Sequence, residues 1–234
     1  MDFLLKKIFH HSILKHHDDV AGFIFAVHGV IYAVLLGFVV IGVWEDYKDA
    51  ENLANKETAK LLMLYNDIES YPDDNNVSML LREYSKIINT ISKVDYPALK
   101  EGKDSNQSPK EYFAFSKLLT KVSPSTEVEK AFFNKIVDVI DDLYFLSIER
   151  YESSKSSIPS VLWWGIILGA FVTLGFSCIY GTENFWALIS MNLMLAFVLS
   201  LLITIIILLD SPFEGTVSVQ PQNLQHLLKL VEVK

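Results

Sequence analysis

Four histidines near the N-terminus have the residue type and spacing that most resemble a metal site in this sequence. They are His10, His11, His16 and His17. Zinc sites commonly add cysteine or carboxylate ligands, and no such group is placed to complete one here. We therefore expect no metal site. We favour an amphipathic basic and histidine-rich segment, residues 1–19, that lies in a membrane interface with its polar side toward water or anionic lipid.

The motifs of common enzyme active sites are absent from the sequence. It has no glycine-rich phosphate loop, nucleophile elbow, Cys-x-x-Cys pair or His-Glu-x-x-His motif. A disulfide framework is excluded because Cys178 is the only cysteine. We expect neither an enzyme nor a cofactor, and we expect no nucleic-acid partner.

His28 is the only histidine or charged residue in a long apolar run, residues 20–44. Tyr32 follows one helical turn later on the same face. An ionisable residue within a membrane span usually faces the protein interior or a wet cavity, so His28 and Tyr32 are candidates to line a pore or to sense protons. The alternative is a structural role, in which a neutral His28 forms a hydrogen bond with a neighbouring helix.

Acidic residues gather where the apolar runs end. They are Glu45, Asp46 and Asp49 after the first run and Asp210 and Glu214 after the third. Repeated around a symmetry axis, such residues would form acidic rings that concentrate cations at a pore mouth. The alternative is that they are solvated helix flanks, partly compensated by Lys48 and Lys56.

Apolar and charged residues occupy different parts of the chain. The sequence is 51% apolar and has a net charge of −8, yet residues 45–158 contain 21 of its 28 acidic residues. Outside that region lie three apolar runs of 21–25 residues, and about 20 helical residues span a bilayer. We predict an all-α integral membrane protein with transmembrane helices at residues 20–44, 159–180 and 185–209.

The lysines before the first run predict the orientation. Lys6, Lys7 and Lys15 place the N-terminus in the cytoplasm by the positive-inside rule. Residues 45–158 then lie outside, in the periplasm of a bacterium, and the short 181–184 turn lies inside. We expect a bacterial inner-membrane protein whose C-terminal tail, residues 210–234, is on the outer side.

Residues 45–158 show helical periodicity and no strand alternation, which predicts a helical bundle inserted between the first and second spans. Tyr96-Pro97 is expected to end its second helix, and Ser108-Pro109-Lys110-Glu111 resembles a capping box. Ser123-Pro124 is expected to start a further helix that ends near Ser157. The predicted buried face of that helix comprises Val128, Phe132, Ile136, Val139, Ile140, Leu143 and Leu146.

Small residues follow one face of the first span. They are Gly22, Ala26, Gly29, Ala33 and Gly37, and the second span adds Gly165 and Gly169. Small residues let helix backbones approach closely in lipid, so the first span is expected to pack centrally. Three spans offer little interior in one subunit, so a pathway would form on the axis of a homo-oligomer.

Residues 18–47, DDVAGFIFAVHGVIYAVLLGFVVIGVWEDY, resemble the opening of the bestrophin-like membrane family. The segments Ile158–Trp163 and Leu209–Gly215 and the pair of later spans extend the resemblance to roughly residues 18–221. The family name implies similarity to bestrophin anion channels. Members often carry a further hydrophobic helix before the first span, where this chain has only the amphipathic segment.

The predicted function is an oligomeric ion channel whose pore is lined by the first span. Its expected partners are the lipid bilayer, further copies of the chain and inorganic ions. In this hypothesis Gly29, Ala33 and Gly37 permit tight packing near His28 and Tyr32, and the acidic mouth favours cations. Two alternatives stay open: an anion channel, as the family name implies, and a membrane-anchored sensor or scaffold whose outer bundle binds a partner.

Overall fold

The computed structural model describes residues 18–179, 185–221 and 223–232, and every regular element in these ranges is helical. The chain forms two compact units. The membrane unit comprises Met1–Val43 and Ile158–Ile207, and the bundle unit comprises Trp44–Ser157 and Leu208–Lys234. The segment 1–17, with its four histidines, and the predicted turn at 181–184 lie outside the described residues.

Among the described residues, three helices are long and apolar enough to cross a membrane. Helix α1 is Asp18–Glu69 and contributes to both units. Because the sequence has no Pro in this range, the helix continues from the first apolar run into the polar region without a break. Helices α6, Ser160–Ile179, and α7, Phe185–Asp210, contain the second and third runs. The all-helical class is thus confirmed for the described residues, and the three predicted spans lie in helices able to cross a membrane.

The bundle unit is built from shorter helices between α1 and α6. They are α2 (Asp74–Thr90), a π-helical turn (Ile91–Asp95), α3 (Tyr96–Lys100), α4 (Ser108–Leu119) and α5 (Glu127–Ser154). Their apolar faces and that of the polar part of α1 form one core, which includes Leu64, Tyr84 and Ile140. This core surrounds the buried ionic residues of the bundle unit that are described below.

The prediction that Tyr96-Pro97 ends the second helix is wrong. The chain stays helical to Lys100 because the π-helical turn precedes the proline. The Tyr96 N–H bonds to the carbonyl of Ile91, five residues back. A proline cannot donate and its ring crowds the preceding turn, and the wider π turn accommodates both effects.

Two helix starts also differ from the sequence prediction. Ser108 is the first residue of α4 and its side chain caps nothing, whereas the capping box lies at Thr126 and Glu129 at the start of α5. Helix α5 therefore begins after Ser123-Pro124 and ends at Ser154. Val128 falls in its first turn and is 57% exposed, so it is not part of the buried face.

The C-terminal tail, for which we predicted no regular element, contains a helix. Helix α8, Leu224–Glu232, places Leu224 and Leu227 in the core of the bundle unit. Before it, Phe213 packs against the Tyr96 ring with centroids 6.2 Å apart. The Gly215 N–H also donates to the carbonyl of Lys100 at 3.1 Å. Residues after the third span are therefore part of the bundle unit.

Candidate functional site

The predicted pore candidates His28 and Tyr32 contact α6 within the membrane unit. His28 Nε2 lies 3.1 Å from Thr173 Oγ1, and the Thr173 hydroxyl donates to the carbonyl of Gly169 at 2.7 Å. Since a hydroxyl has one proton to donate, Nε2 is the donor to Thr173. His28 therefore carries its proton on Nε2 and links α1 to α6.

Tyr32 makes a second link between the same two helices. Its hydroxyl donates to the carbonyl of Ile166 at 2.7 Å, and its side chain is only 5% exposed. The His28 and Tyr32 rings are nearly parallel, with centroids 6.0 Å apart. His28 and Tyr32 thus each form a hydrogen bond across the α1–α6 contact. Such polar contacts between helices are expected to stabilise helix pairs in lipid.

The glycines of the second span lie at the α1–α6 contact. A Cβ added to Gly169 would collide with the Tyr32 ring, and one added to Gly165 would lie 3.4 Å from Leu35 Cδ2. The absence of a side chain at Gly169 is what lets Tyr32 reach the α6 backbone. The GxxxG pair therefore serves packing within one protomer.

The small-residue face of α1 points elsewhere. A Cβ added to Gly22, Gly29 or Gly37 would meet no atom of the described residues within 4 Å. Ala26 and Ala33 are exposed in the same way. At about 100° per residue, this face lies roughly a third of a turn from the one that contacts α6. Within the described chain Ala26, Ala33 and Gly37 are therefore exposed, whereas Gly22 borders a pocket with Met191 and Leu195 of α7.

The predicted mouth acids all belong to the bundle unit. Glu45, Asp46 and Asp49 are exposed on α1, and Asp210 is half-buried at the end of α7. Glu214 is exposed, and its carboxyl group lies over Gly102, where a Cβ would be 3.5 Å away. It also lines a small cleft of about 160 Å³ together with Lys103 and Lys155. Glu214 thus has basic neighbours.

A buried ionic cluster, comprising Arg150, Glu57, Asp95 and Ser108, lies in the bundle unit. The four side chains come from α5, α1, the π-helical turn and α4. Each residue is at most 1% exposed. Arg150 Nε lies 3.2 Å from Glu57 Oε2, and Nη2 lies 3.4 Å from Asp95 Oδ2 and donates to Ser108 Oγ at 3.0 Å. One cation therefore faces two carboxyl groups in a solvent-excluded core.

Asp95 is surrounded by donors. Its Oδ1 accepts from Ser105 Oγ at 3.1 Å and from the Gln107 N–H at 2.9 Å, and its Oδ2 accepts from the Ser108 N–H at 3.0 Å and from the Ser108 hydroxyl. Asp95 rather than Ser108 thus caps α4. Burial alone would raise the pKa of Asp95, but the Ser108 and Gln107 hydrogen bonds and the Arg150 charge lower it below the usual value.

Glu57 has the opposite environment. Burial raises the pKa of Glu57, the Arg150 charge opposes this shift, and the Asp95 charge adds to it. Among the described residues, Glu57 Oε1 and the hydroxyls of Tyr96 and Tyr112 find no hydrogen-bond partner of standard geometry. The Arg150 guanidinium also lies over the Tyr96 ring, 4.9 Å from its centroid. Burial would lower the pKa of Arg150, but Glu57, Tyr96 and Asp95 raise it, so Arg150 stays charged.

The positions of Glu57 and Arg150 in the sequence indicate that both side chains are buried. Glu57 continues the spacing of the buried positions Ala54 and Leu61 on α1, and Arg150 continues that of Leu143 and Ser147 on α5. A charged residue that occupies a position of an apolar stripe is expected to be buried and paired.

No group of three or more His, Cys, Asp or Glu side chains suited to a metal ion occurs in the described ranges. The N-terminal histidines lie outside them. The buried ionic cluster is also a poor metal site, because a guanidinium occupies the position between its two carboxyl groups.

Comparison with known proteins gives two matches. The sequence matches the family described as a Bestrophin-like domain over residues 1–224. The fold is similar to the crystal structure of a single-residue variant of a bacterial bestrophin homologue from Klebsiella pneumoniae, with a TM-score of 0.67 at 12% identity. That match covers 94% of this chain and 90% of the other. No curated protein matches the sequence significantly.

Proposed function

The chain belongs to the bestrophin-like family, and from this premise we propose that it forms an oligomeric ion channel in a membrane. The observation that carries the proposal is the family match over residues 1–224, joined to three helices able to span a bilayer. Its partners in this function are the lipid bilayer, further copies of the same chain and inorganic ions.

A symmetric oligomer is the natural form of such a channel. Three spans in one protomer enclose no pathway of their own, so a pore needs the axis between copies. Ala26, Ala33 and Gly37 on the small-residue face of α1 are exposed within the protomer and suit close contact with another copy. This supports α1 as the central helix of the assembly.

We also assign the pore-lining surface to α1. In this proposal Gly29, Ala33 and Gly37 lie toward the axis, while His28 and Tyr32 hold α1 against α6 from the side. Both residues are engaged with α6 through hydrogen bonds, which supports a bracing role near the pathway.

Selectivity for cations is the finer part of the proposal. Glu45, Asp46 and Asp49 are exposed within two adjacent turns of α1. Copies of the chain around an axis would bring these carboxylates together. Asp210 and Glu214 are assigned a weaker role, since basic residues lie near Glu214. Selectivity for anions is the competing outcome.

Reconstitution in liposomes under a KCl gradient tests the channel and its selectivity together. We expect a reversal potential of the sign for cation flow, which moves toward zero in the triple variant Glu45→Gln, Asp46→Asn, Asp49→Asn. The matched control neutralises Asp141 and Glu152, two exposed acids of α5, and should leave the reversal potential unchanged. A potential of the opposite sign would overturn cation selectivity.

The orientation is a separate part of the proposal. We place the chain in a bacterial inner membrane with the N-terminus cytoplasmic and residues 45–158 periplasmic. In a Cys178→Ser background, Lys121→Cys supplies one exposed thiol on the bundle unit. A membrane-impermeant maleimide should label it in intact spheroplasts. Labelling only after lysis would reverse the orientation.

A membrane-anchored scaffold is the second candidate, because the bundle unit has an exposed apolar groove. Met63 is 47% exposed and Phe145 is 66% exposed, and Lys56, Lys60 and Glu149 border them. Exposed apolar patches with polar rims are typical of protein interaction sites. Absence of current from folded, reconstituted oligomers would favour this candidate over the channel.

A further inference from the structure

The two carboxyl groups of the buried ionic cluster differ in the number of hydrogen bonds that they accept. Asp95 accepts five hydrogen bonds, one of them from Arg150 Nη2 at 3.4 Å. Glu57 Oε2 lies 3.2 Å from Arg150 Nε without the geometry of a hydrogen bond, and its further candidate donors in the described chain are the hydroxyls of Tyr112 and Tyr96. An ionised carboxylate needs donors, so the negative charge resides on Asp95.

The charge balance of the core leads to the same assignment. Among the described residues, Arg150 on α5 is the cation that faces Glu57, and the anion of Asp95 faces it from the π-helical turn. The other titratable neighbours are phenols, Tyr96 on α3 and Tyr112 on α4, and burial raises the pKa of both. If both carboxyl groups were ionised, the buried core would carry an uncompensated negative charge, which costs far more than one neutral acid.

The unpartnered hydroxyls suit a neutral carboxyl group. A protonated Glu57 has an O–H to donate as well as an acceptor oxygen, so it can bond to a tyrosine hydroxyl in either direction. Burial raises the pKa of Glu57 by more than hydrogen bonds from the Tyr112 and Tyr96 hydroxyls lower it. An ionised Glu57 could only accept.

We propose that the bundle unit contains a buried protonation site, in which Glu57 holds a proton at neutral pH and Asp95 alone is the counter-ion of Arg150. Loss of this proton at higher pH places a second negative charge in the core. The contacts of α1 with α3, α4 and α5 around Glu57 then weaken. The site makes the stability of the bundle unit sensitive to alkaline pH.

The sign of the pH effect distinguishes the two acids. Glu57 has a raised pKa in the folded state, so its stabilising contribution is complete below its unfolded pKa. That contribution falls as pH rises toward the folded pKa. Asp95 has a lowered pKa, so its contribution is present above its unfolded pKa and is lost as pH falls. Of these two acids, only Glu57 lowers the stability of the bundle unit as pH rises.

Thermal unfolding of the full chain in nanodiscs from pH 5 to pH 9 tests the proposal. We expect Glu57→Gln to change the neutral-pH Tm by less than about 4 °C and to remove the alkaline decline expected of the wild type. Asp95→Asn should lower Tm by about 10 °C, because an amide nitrogen replaces a carboxylate oxygen that accepts hydrogen bonds in the buried core. Glu51→Gln, an exposed acid on the same helix, is the control and should change neither quantity.

Two results would overturn the protonation site. One is a Glu57→Gln variant that is as unstable as Asp95→Asn and keeps the alkaline decline. The other needs no folded variant: difference infrared spectra of the wild type between pH 6 and pH 9 should show the carbonyl band of a protonated carboxyl group at the lower pH, and its absence would exclude a neutral Glu57.

Discussion

At the scale of single residues, Gly169 controls how α1 and α6 meet. Its missing side chain leaves room for the Tyr32 ring, and Tyr32 in turn donates to the α6 backbone. Gly169→Leu should therefore separate the two helices and cost about 1–3 kcal/mol, the usual range for overpacking. Thermal unfolding in detergent or nanodiscs measures the loss.

The same helix provides the control for this prediction. A Cβ at Gly175 would meet no atom of the described residues within 4 Å, and the position is exposed. Gly175→Leu has the same chemistry and should leave Tm nearly unchanged. Equal losses in the two variants would mean that a general effect of the larger side chain, rather than the Tyr32 contact, sets the result.

Single residues also show where sequence reasoning stops. His28 and Tyr32 could be selected because a polar group is conspicuous in an apolar run. Glu57 and Arg150 could not be paired, since 93 positions separate them in the sequence and only the bundle brings them together. Their places in apolar stripes predict burial, but the identity of the partner depends on tertiary packing.

At the scale of elements, the helices follow from periodicity while their ends depend on local hydrogen bonds. The apolar spacing of α5 predicts the buried Ile136, Val139, Ile140 and Leu143. The start was misplaced because Ser-Pro resembles a helix start, whereas the reciprocal bonds of Thr126 and Glu129 define the cap. The π-helical turn was not predictable, because its cause is the combination of Pro97 with burial on both sides.

The cap of α5 gives a direct prediction. Thr126 Oγ1 accepts from the Glu129 N–H at 3.1 Å, and the Glu129 carboxylate accepts from the Ser125 N–H at 2.6 Å. Thr126→Ala should cost about 1 kcal/mol, which corresponds to about 2–4 °C in Tm. Ser123→Ala alters the residue that sequence alone suggested as the helix start, and it should have no effect. A larger loss from Ser123→Ala would refute the observed cap.

At the scale of the whole molecule, the three spans were the easiest feature to predict and the arrangement of copies is the hardest. Length and apolarity define a membrane helix, because lipid leaves the backbone no other way to satisfy its hydrogen bonds. The same uniform apolarity hides which helix face meets lipid and which meets protein. In the structure, the α6 contact marks one face of α1, and Ala26, Ala33 and Gly37 of the small-residue face stay exposed.

These exposed residues make assembly testable. Ala33 is exposed at the centre of the stripe, and Ala33→Leu would place a bulky side chain between copies that are expected to pack closely there. Overpacking by about 1–3 kcal/mol at each contact should lower the oligomeric fraction about tenfold or more. Native mass spectrometry, or light scattering after size exclusion in mild detergent, measures that fraction.

The neighbouring lipid-facing surface supplies the comparison for Ala33→Leu. Ile31 is 65% exposed and lies about 160° around α1 from Ala33, given about 100° per residue. Ile31→Phe also adds volume within the span but should leave assembly intact, because its side chain projects away from the stripe. If both variants assembled normally, α1 would not be the contact between copies. The proposed pore would then have to be formed by other helices.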